Sequence, residues 1–178
     1  MHQCGACIRQ PPPLDQALAA VPYDYPWSGL LTQFKFQEHT GWAHSFGTLM
    51  RSAPWVEPAL EAADWLLPMP LSAGRLRERG YNQAALLAGA LDPGKVQPKV
   101  LLRVKESPPQ SSLPRQQRLL SVRGAYALEP LHAAEAQNKR VVLVDDVMTT
   151  GASLHAAALV LRQAGVAHIT ALVFARTE

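Results

Sequence analysis

Residues 141–154, with the sequence VVLVDDVMTTGASL, constrain the fold of this chain more than any other stretch. The stretch opens with Val141, Val142, Leu143 and Val144, an apolar and mostly β-branched run that predicts a strand buried on both faces, as in a parallel sheet. Two acids, Asp145 and Asp146, follow at once. We therefore expect the acids at the carboxyl end of the strand, where open α/β sheets bind their ligands.

The residues that follow the acids predict a phosphate-binding loop. Met148 is followed by the small and hydroxyl-rich run Thr149-Thr150-Gly151-Ala152-Ser153, and then by an apolar helical pattern. A helix N-terminus offers free backbone N–H groups and the positive end of its dipole to a phosphate. A sugar with vicinal hydroxyls for the acids and a phosphate for the loop fits both halves. The alternative is structural, a buried strand, an acidic turn and a capped helix, although capping needs only one hydroxyl residue and no acid pair.

The rest of the chain predicts an α/β fold with a parallel sheet flanked by helices. Strands, helices and short connections alternate from residue 63 onward, which is typical of parallel α/β sheets. Two helices are expected between residues 27 and 50, with a break at 38–41. Residues 1–26 are rich in proline and carry the pair Cys4 and Cys7, so we assign them to a small N-terminal appendage and residues 27–178 to the main domain.

The composition limits the class of protein without naming a function. The chain has 178 residues, 48% of them apolar, and a formal net charge of +3, with a sequence pI of about 9.1. This mild excess of positive charge suits an anionic small ligand and does not demand nucleic acid. No signal peptide and no apolar run of membrane-spanning length is visible, so we expect a cytoplasmic protein.

A second motif, PMPLSAGRLRERGYNQA at residues 68–84, places three arginines within five residues. Arg75, Arg77 and Arg79 are expected just beyond a strand end, and guanidinium groups bind phosphates in bidentate fashion. The alternative for any one of them is an ordinary solvated position. Lys35 stands among aromatic residues in FKF, where it is either a snorkelling lysine or a group that leans toward a bound phosphate.

Together with the leading CxxC pair, the two motifs resemble the ComF/GntX branch of the type I phosphoribosyltransferase-like proteins. The resemblance implies binding of 5-phosphoribosyl 1-pyrophosphate (PRPP), with the ribose hydroxyls on Asp145 and Asp146 and the 5′-phosphate on residues 148–153. It implies Mg²⁺ as the cofactor and assigns the pyrophosphate to Arg75 and Arg79. The expected catalytic residues are Asp145, Asp146 and Arg79. A mobile loop with the candidate residues Gln110, Arg115 and Arg118 is expected to close over the ligand.

Three interpretations of the function remain open. The first is PRPP-dependent transfer of the phosphoribosyl group to an acceptor that the sequence does not identify, with release of pyrophosphate. The second is a non-catalytic PRPP or nucleotide sensor. The third, implied by the resemblance, is an accessory factor for DNA uptake or utilisation, with single-stranded DNA or competence proteins as partners. An aromatic set including Trp27, Phe34 and Trp42 would be the stacking platform in that case, although helical spacing favours a core role.

The pair Cys4 and Cys7 predicts an incomplete zinc site. Structural zinc takes four ligands, often as two CxxC pairs, and the resembling family usually has both. We therefore expect no tight zinc binding by one such chain. Two chains in a homodimer, or an upstream extension, would complete a site with four cysteines.

Overall fold

The computed structural model describes residues 11–36, 40–105, 122 and 124–177. Its centre is a parallel sheet of four strands, which are β1 Gln16–Pro22, β2 Trp65–Pro68, β5 Arg140–Met148 and β6 His168–Arg176. Their order across the sheet is β1-β6-β5-β2. The predicted strand at 141–144 is therefore confirmed as a central strand, and both of its neighbours pair with it in parallel.

Helices cover both faces of this sheet, which confirms the predicted α/β architecture. The helices are α1 Trp27–Phe36, α2 Trp42–Ser52, α3 Val56–Ala62, α4 Ala73–Arg79, α5 Gln83–Leu91, α6 Pro130–Ala133 and α7 Ala152–Gln163. On one face, Leu143 packs in a core with Leu154 and Leu161 of α7. On the other, Val144 and Phe174 pack with side chains of α1, α2 and α5. Burial on both faces explains why the strand is a continuous apolar run.

A small antiparallel hairpin stands beside the main sheet. Its strands are β3 Leu101–Arg103 and β4 Tyr126–Leu128, with Arg103 opposite Tyr126. Short strand candidates at 99–103 and 124–128 suggest from the sequence that residues 100–128 form a hairpin with long arms, and this pairing confirms it. The candidate loop residues Gln110, Arg115 and Arg118 lie outside the described residues.

The position of the two acids differs from the prediction. The strand does not end at Val144 but continues to Met148, so Asp145 and Asp146 lie within β5. The reason is that β6 keeps pairing with β5 as far as Met148 opposite Arg176. On the other side, β2 already ends at Pro68, opposite Val144. The two acids therefore lie beyond the end of β2 on one side, while on the other side β6 still pairs with this part of β5.

Two further segments differ in detail from the sequence analysis. The arginine-rich run, expected only to lie just beyond a strand end, forms α4. This helix begins after the cap Ser72 and ends at Arg79, and Gly80 follows with a φ of 77°, a left-handed conformation that favours glycine. Part of the region 1–26 is not an appendage, because β1 forms an edge of the main sheet. The assignment of the residues around Cys4 and Cys7 to a separate N-terminal segment stays a prediction.

The aromatic residues of α1 and α2 belong to the core. Phe34 is buried and lies edge-on against Phe46, while Trp42 stacks on Phe46. Trp27 lies edge-on against Phe174 of β6. These contacts favour the core role over a stacking platform for bases. Across the ranges that the structure describes, no helix combines the length and apolar character needed to cross a bilayer.

Candidate functional site

A cavity of about 430 Å³ opens beyond the carboxyl ends of β2 and β5. The structure brings all of the predicted ligand-binding residues within the described ranges to its wall. They are Arg75, Arg79, Asp145, Asp146, Met148, Thr149, Thr150, Gly151, Ala152 and Ser153. Arg77 is exposed on α4 and does not line the cavity, in agreement with a solvated position. A smaller cavity of about 250 Å³, near Trp55 and Arg140, contains none of the predicted residues.

The acid pair forms the floor of the cavity and is held by two contacts. The Lys35 ammonium lies 2.8 Å from Oδ2 of Asp146. The backbone N–H of Asp146 donates to Oδ1 of Asp145 at 2.9 Å. Burial, with the neighbouring charge of Asp146, raises the pKa of Asp145 to about 8, against the opposing effects of the Asp146 N–H and of Lys35. The pair therefore holds a proton at neutral pH.

The turn between β5 and α7 requires a glycine. Gly151 has a φ of 74°, and a Cβ there would lie 2.7 Å from Cε of Met148 and 3.0 Å from Nε2 of His155. The first residues of α7, Ala152 to Leu154, line the cavity, and a helix leaves its first backbone N–H groups without intrahelical partners. This wall can therefore receive a phosphate group, as the sequence predicted.

Positive charge also converges on the cavity. Burial lowers the pKa of Arg75, and the nearby charges of Arg103 and Arg79 act in the same direction. Arg79 donates from Nη1 to Oε1 of Gln83 at 3.1 Å. Arg103 donates to the Tyr126 hydroxyl at 3.4 Å, and its Nη2 is buried without a hydrogen-bond partner among the described residues. Burying several like charges close together costs free energy, and an anion bound in the cavity would offset the repulsion between these guanidinium groups.

Several cavity residues are not predicted by the sequence. The sequence gives no partner for Lys35, and it places Arg103 and Tyr126 only in the hairpin, whereas all three line the cavity. Asn82 shapes the turn between α4 and α5 by accepting the Ala84 N–H at 2.9 Å and donating to the Met69 carbonyl at 3.1 Å. The sequence does mark Lys35 as unusual, because it is a single cation between aromatic residues. Its partner on a distant strand cannot be deduced from local sequence.

The raised pKa of Asp145 gives a prediction for stability against pH. In the unfolded chain this carboxyl ionises near its ordinary pKa of 3.8, and in the folded chain near a pKa of about 8. Between these values the folded state binds more protons, so stability falls as pH rises. We expect Asp145→Asn to flatten this fall and to be the more stable form at pH 8. Thermal melts of both proteins between pH 5 and pH 8 measure the difference, and parallel curves would contradict the assignment.

Comparisons with known proteins agree with this geometry. Residues 78–178 match the phosphoribosyl transferase domain. These residues include Arg79, the hairpin, the acid pair and the loop to α7. The chain thus belongs to the phosphoribosyltransferase-like family of ComF type, a family shown both by this domain and by a relative that matches along nearly the whole length of this chain.

The relatives include proteins named for competence and for DNA utilisation. The chain is 33% identical to Competence protein F of Haemophilus influenzae over 183 residues, which cover 98% of this chain and 79% of the relative. It is 27% identical to DNA utilization protein YhgH of Escherichia coli K12 over 180 residues, covering 98% and 78%. Competence protein ComFC of Bacillus subtilis is 39% identical over 100 residues, covering 56% of this chain and 39% of that protein.

The two metal predictions concern different parts of the chain. Among the residues described, no group of three or more histidine, cysteine, aspartate or glutamate side chains could hold a metal ion. Cys4 and Cys7 lie outside these residues, so the zinc site stays a prediction. The acid pair supplies carboxylate oxygens, which are the ligands that Mg²⁺ prefers, but a magnesium ion usually also binds substrate phosphates and water. The donor set therefore fits Mg²⁺ that arrives with a phosphorylated ligand.

Proposed function

We propose that the cavity binds PRPP. The observation that carries the proposal is the convergence of a carboxylate pair, a phosphate-type loop and an arginine cluster on one cavity. Asp145 and Asp146 would accept hydrogen bonds from the ribose hydroxyls. Residues 149–153 would receive the 5′-phosphate, and Arg75 and Arg79 the pyrophosphate. Each contact pairs a charge with a group of opposite charge or with a hydroxyl donor.

We propose further that the chain transfers the phosphoribosyl group and releases pyrophosphate. Breaking the anomeric C–O bond gives an oxocarbenium-like transition state and collects negative charge on the leaving group, so positioning and electrostatic stabilisation supply most of the catalysis. Arg79 and Arg75 would stabilise the leaving charge. When bound, Mg²⁺ would neutralise part of the negative charge of the pyrophosphate. Gln110, Arg115 and Arg118 remain the candidates for a loop that excludes water.

Pyrophosphate release tests the catalytic part of the proposal. The protein is incubated with Mg²⁺ and PRPP against a panel of nucleobases, and pyrophosphate is followed with a coupled assay. Release that depends on one class of base would support transfer and identify the acceptor. If PRPP binds but no base causes release, the protein is a sensor for PRPP or a nucleotide, and the catalytic proposal fails.

A role in the handling of DNA is the second candidate, favoured by the names of the relatives. Single-stranded DNA or competence proteins would then be partners, and the cytoplasm would be the compartment. A homodimer would also complete a zinc site from two copies of Cys4 and Cys7. Anisotropy of a labelled single-stranded oligonucleotide, measured with and without PRPP, tests the first of these partners. An unchanged signal in both conditions would remove DNA as a direct ligand.

Replacing Arg79 separates the two ends of the bound ligand. Arg79→Ala is expected to weaken binding of PRPP by about 1.5–3 kcal/mol, the usual size for a hydrogen bond to a charged group. Ribose 5-phosphate lacks the pyrophosphate and should lose much less. Calorimetric titration of both ligands measures the difference, with the exposed Arg77→Ala as the matched control. Equal losses for both ligands would show that Arg79 does not select the pyrophosphate.

A further inference from the structure

Hydrogen bonds join the C-terminal end of α1 to the residues that follow Arg79 at the end of α4. The Tyr81 hydroxyl donates to the carbonyl of Phe34. The side-chain amide of Gln83 donates to the carbonyl of Lys35 at 3.4 Å, and its oxygen accepts from Arg79 at 3.1 Å. The backbone of Lys35 is thus fixed against the residues at 79–83. The side chain of Lys35 therefore starts from a backbone position that is fixed relative to the cavity.

The side chain of Lys35 reaches the acid pair and contacts Asp146. The Lys35 ammonium lies 2.8 Å from Oδ2 of Asp146, and the two side chains are only 22% and 12% exposed. Asp146 is the one charged residue among the four polar or charged residues that are buried in the described part of the chain. A carboxylate at this depth needs a compensating charge, and Lys35 makes the ion pair that supplies it.

This ion pair has a consequence for what the cavity accepts. Lys35 and Asp146 together contribute no net charge, so the floor of the cavity does not repel a phosphorylated sugar. A carboxylate group has two oxygens, and the ammonium contacts Oδ2. Oδ1 keeps its capacity to accept a hydroxyl hydrogen bond. A free divalent cation, in contrast, would have to share Asp146 with a resident positive charge.

We propose that Lys35 is a positioning residue, the resident counter-ion of Asp146, which admits the anionic sugar phosphate and keeps free divalent cations off the acid pair. The part that concerns the sugar phosphate rests on the proposed function. The part that concerns the cation rests on the ion pair alone. The two parts predict opposite effects of removing the charge, and a simple loss of structure cannot produce opposite effects.

The test compares Lys35→Met, Lys35→Gln and Lys35→Arg with the unchanged chain. Met removes the charge and the donor, Gln keeps a donor without the charge, and Arg keeps both. Lys139→Met is the matched control, because Lys139 pairs with Asp64 at 3.9 Å and lines neither cavity. Binding of Mn²⁺ alone is measured by electron paramagnetic resonance, and binding of ribose 5-phosphate in the presence of a chelator by calorimetry.

We expect both neutral variants to bind Mn²⁺ at least about tenfold more tightly and ribose 5-phosphate at least about tenfold more weakly, tenfold being 1.4 kcal/mol. Lys35→Arg and Lys139→Met should match the unchanged chain in both measurements. Circular dichroism shows whether each variant is folded. If Lys35→Met does not fold, the two binding measurements on Lys35→Gln decide the role of Lys35.

Unchanged Mn²⁺ affinity in the folded neutral variants would overturn the counter-ion role. Weaker binding of both Mn²⁺ and ribose 5-phosphate would also overturn it, because that is the result of structural damage. If the unchanged chain binds neither ribose 5-phosphate nor PRPP, the proposed function fails, and the Mn²⁺ measurement still decides the role of Lys35.

Discussion

The double substitution Asp145→Asn with Asp146→Asn is expected to reduce the affinity for PRPP by more than about 100-fold while the chain stays folded. At a pH above about 8, where Asp145 is ionised, each carboxylate would accept a charge-assisted hydrogen bond from a ribose hydroxyl, worth about 1.5–3 kcal/mol. Two such losses sum to about 3 kcal/mol or more, which corresponds to that factor. Asp146→Asn alone should lose about 1.5–3 kcal/mol. Isothermal titration calorimetry with Mg²⁺ present measures both.

The matched control for the double amide is Asp64→Asn. Asp64 is a carboxylate at the other end of β5, where it accepts the Arg140 N–H at 2.7 Å. It lines neither described cavity, so its loss should leave PRPP affinity unchanged. Equal affinity of the unchanged chain and the double amide would place the ligand elsewhere.

Phe46→Ala is expected to lower the free energy of unfolding by about 3–5 kcal/mol, the usual cost of deleting a buried ring. Phe46 is only 1% exposed. Its ring centroid lies 4.1 Å from that of Phe174, 5.4 Å from that of Phe34 and 5.8 Å from that of Trp42. The ring therefore joins α1 and α2 to β6. Urea denaturation followed by circular dichroism measures the loss.

A matched control for this substitution is Leu159→Ala on α7. Leu159 is 54% exposed, so its loss should cost about 0.5 kcal/mol or less. Phe46→Leu retains much of the apolar volume and should lie between the two. If Phe46→Ala costs no more than Leu159→Ala, the aromatic cluster does not hold the helices on the sheet.

The sequence predicts the centre of the fold and most of the site because both depend on local patterns. A continuous β-branched run predicts a strand buried on both faces, and Gly151 beside hydroxyl residues predicts the turn into α7. In the structure, the acids and the loop line one cavity. The predicted length of β5 is wrong, because a polar pair normally marks a strand end, whereas here pairing with β6 carries the strand past it.

The rest of the site depends on contacts between distant segments. Lys35 meets Asp146 across more than a hundred residues of chain, and Arg103 comes from a separate hairpin. No local spacing predicts such a contact, because it depends on how α1 and the hairpin pack against the sheet. The sequence does not distinguish helix from strand at β1 for a similar reason. Its short segment between prolines becomes a strand through pairing with β6.

The most direct test of PRPP binding is a calorimetric titration of the unchanged chain with PRPP and Mg²⁺. We predict saturable binding of one PRPP per chain, weakened when ribose 5-phosphate is present as a competitor for the same cavity. A folded protein that shows no saturable binding of PRPP, with or without Mg²⁺, would contradict the assignment of this cavity as a PRPP site.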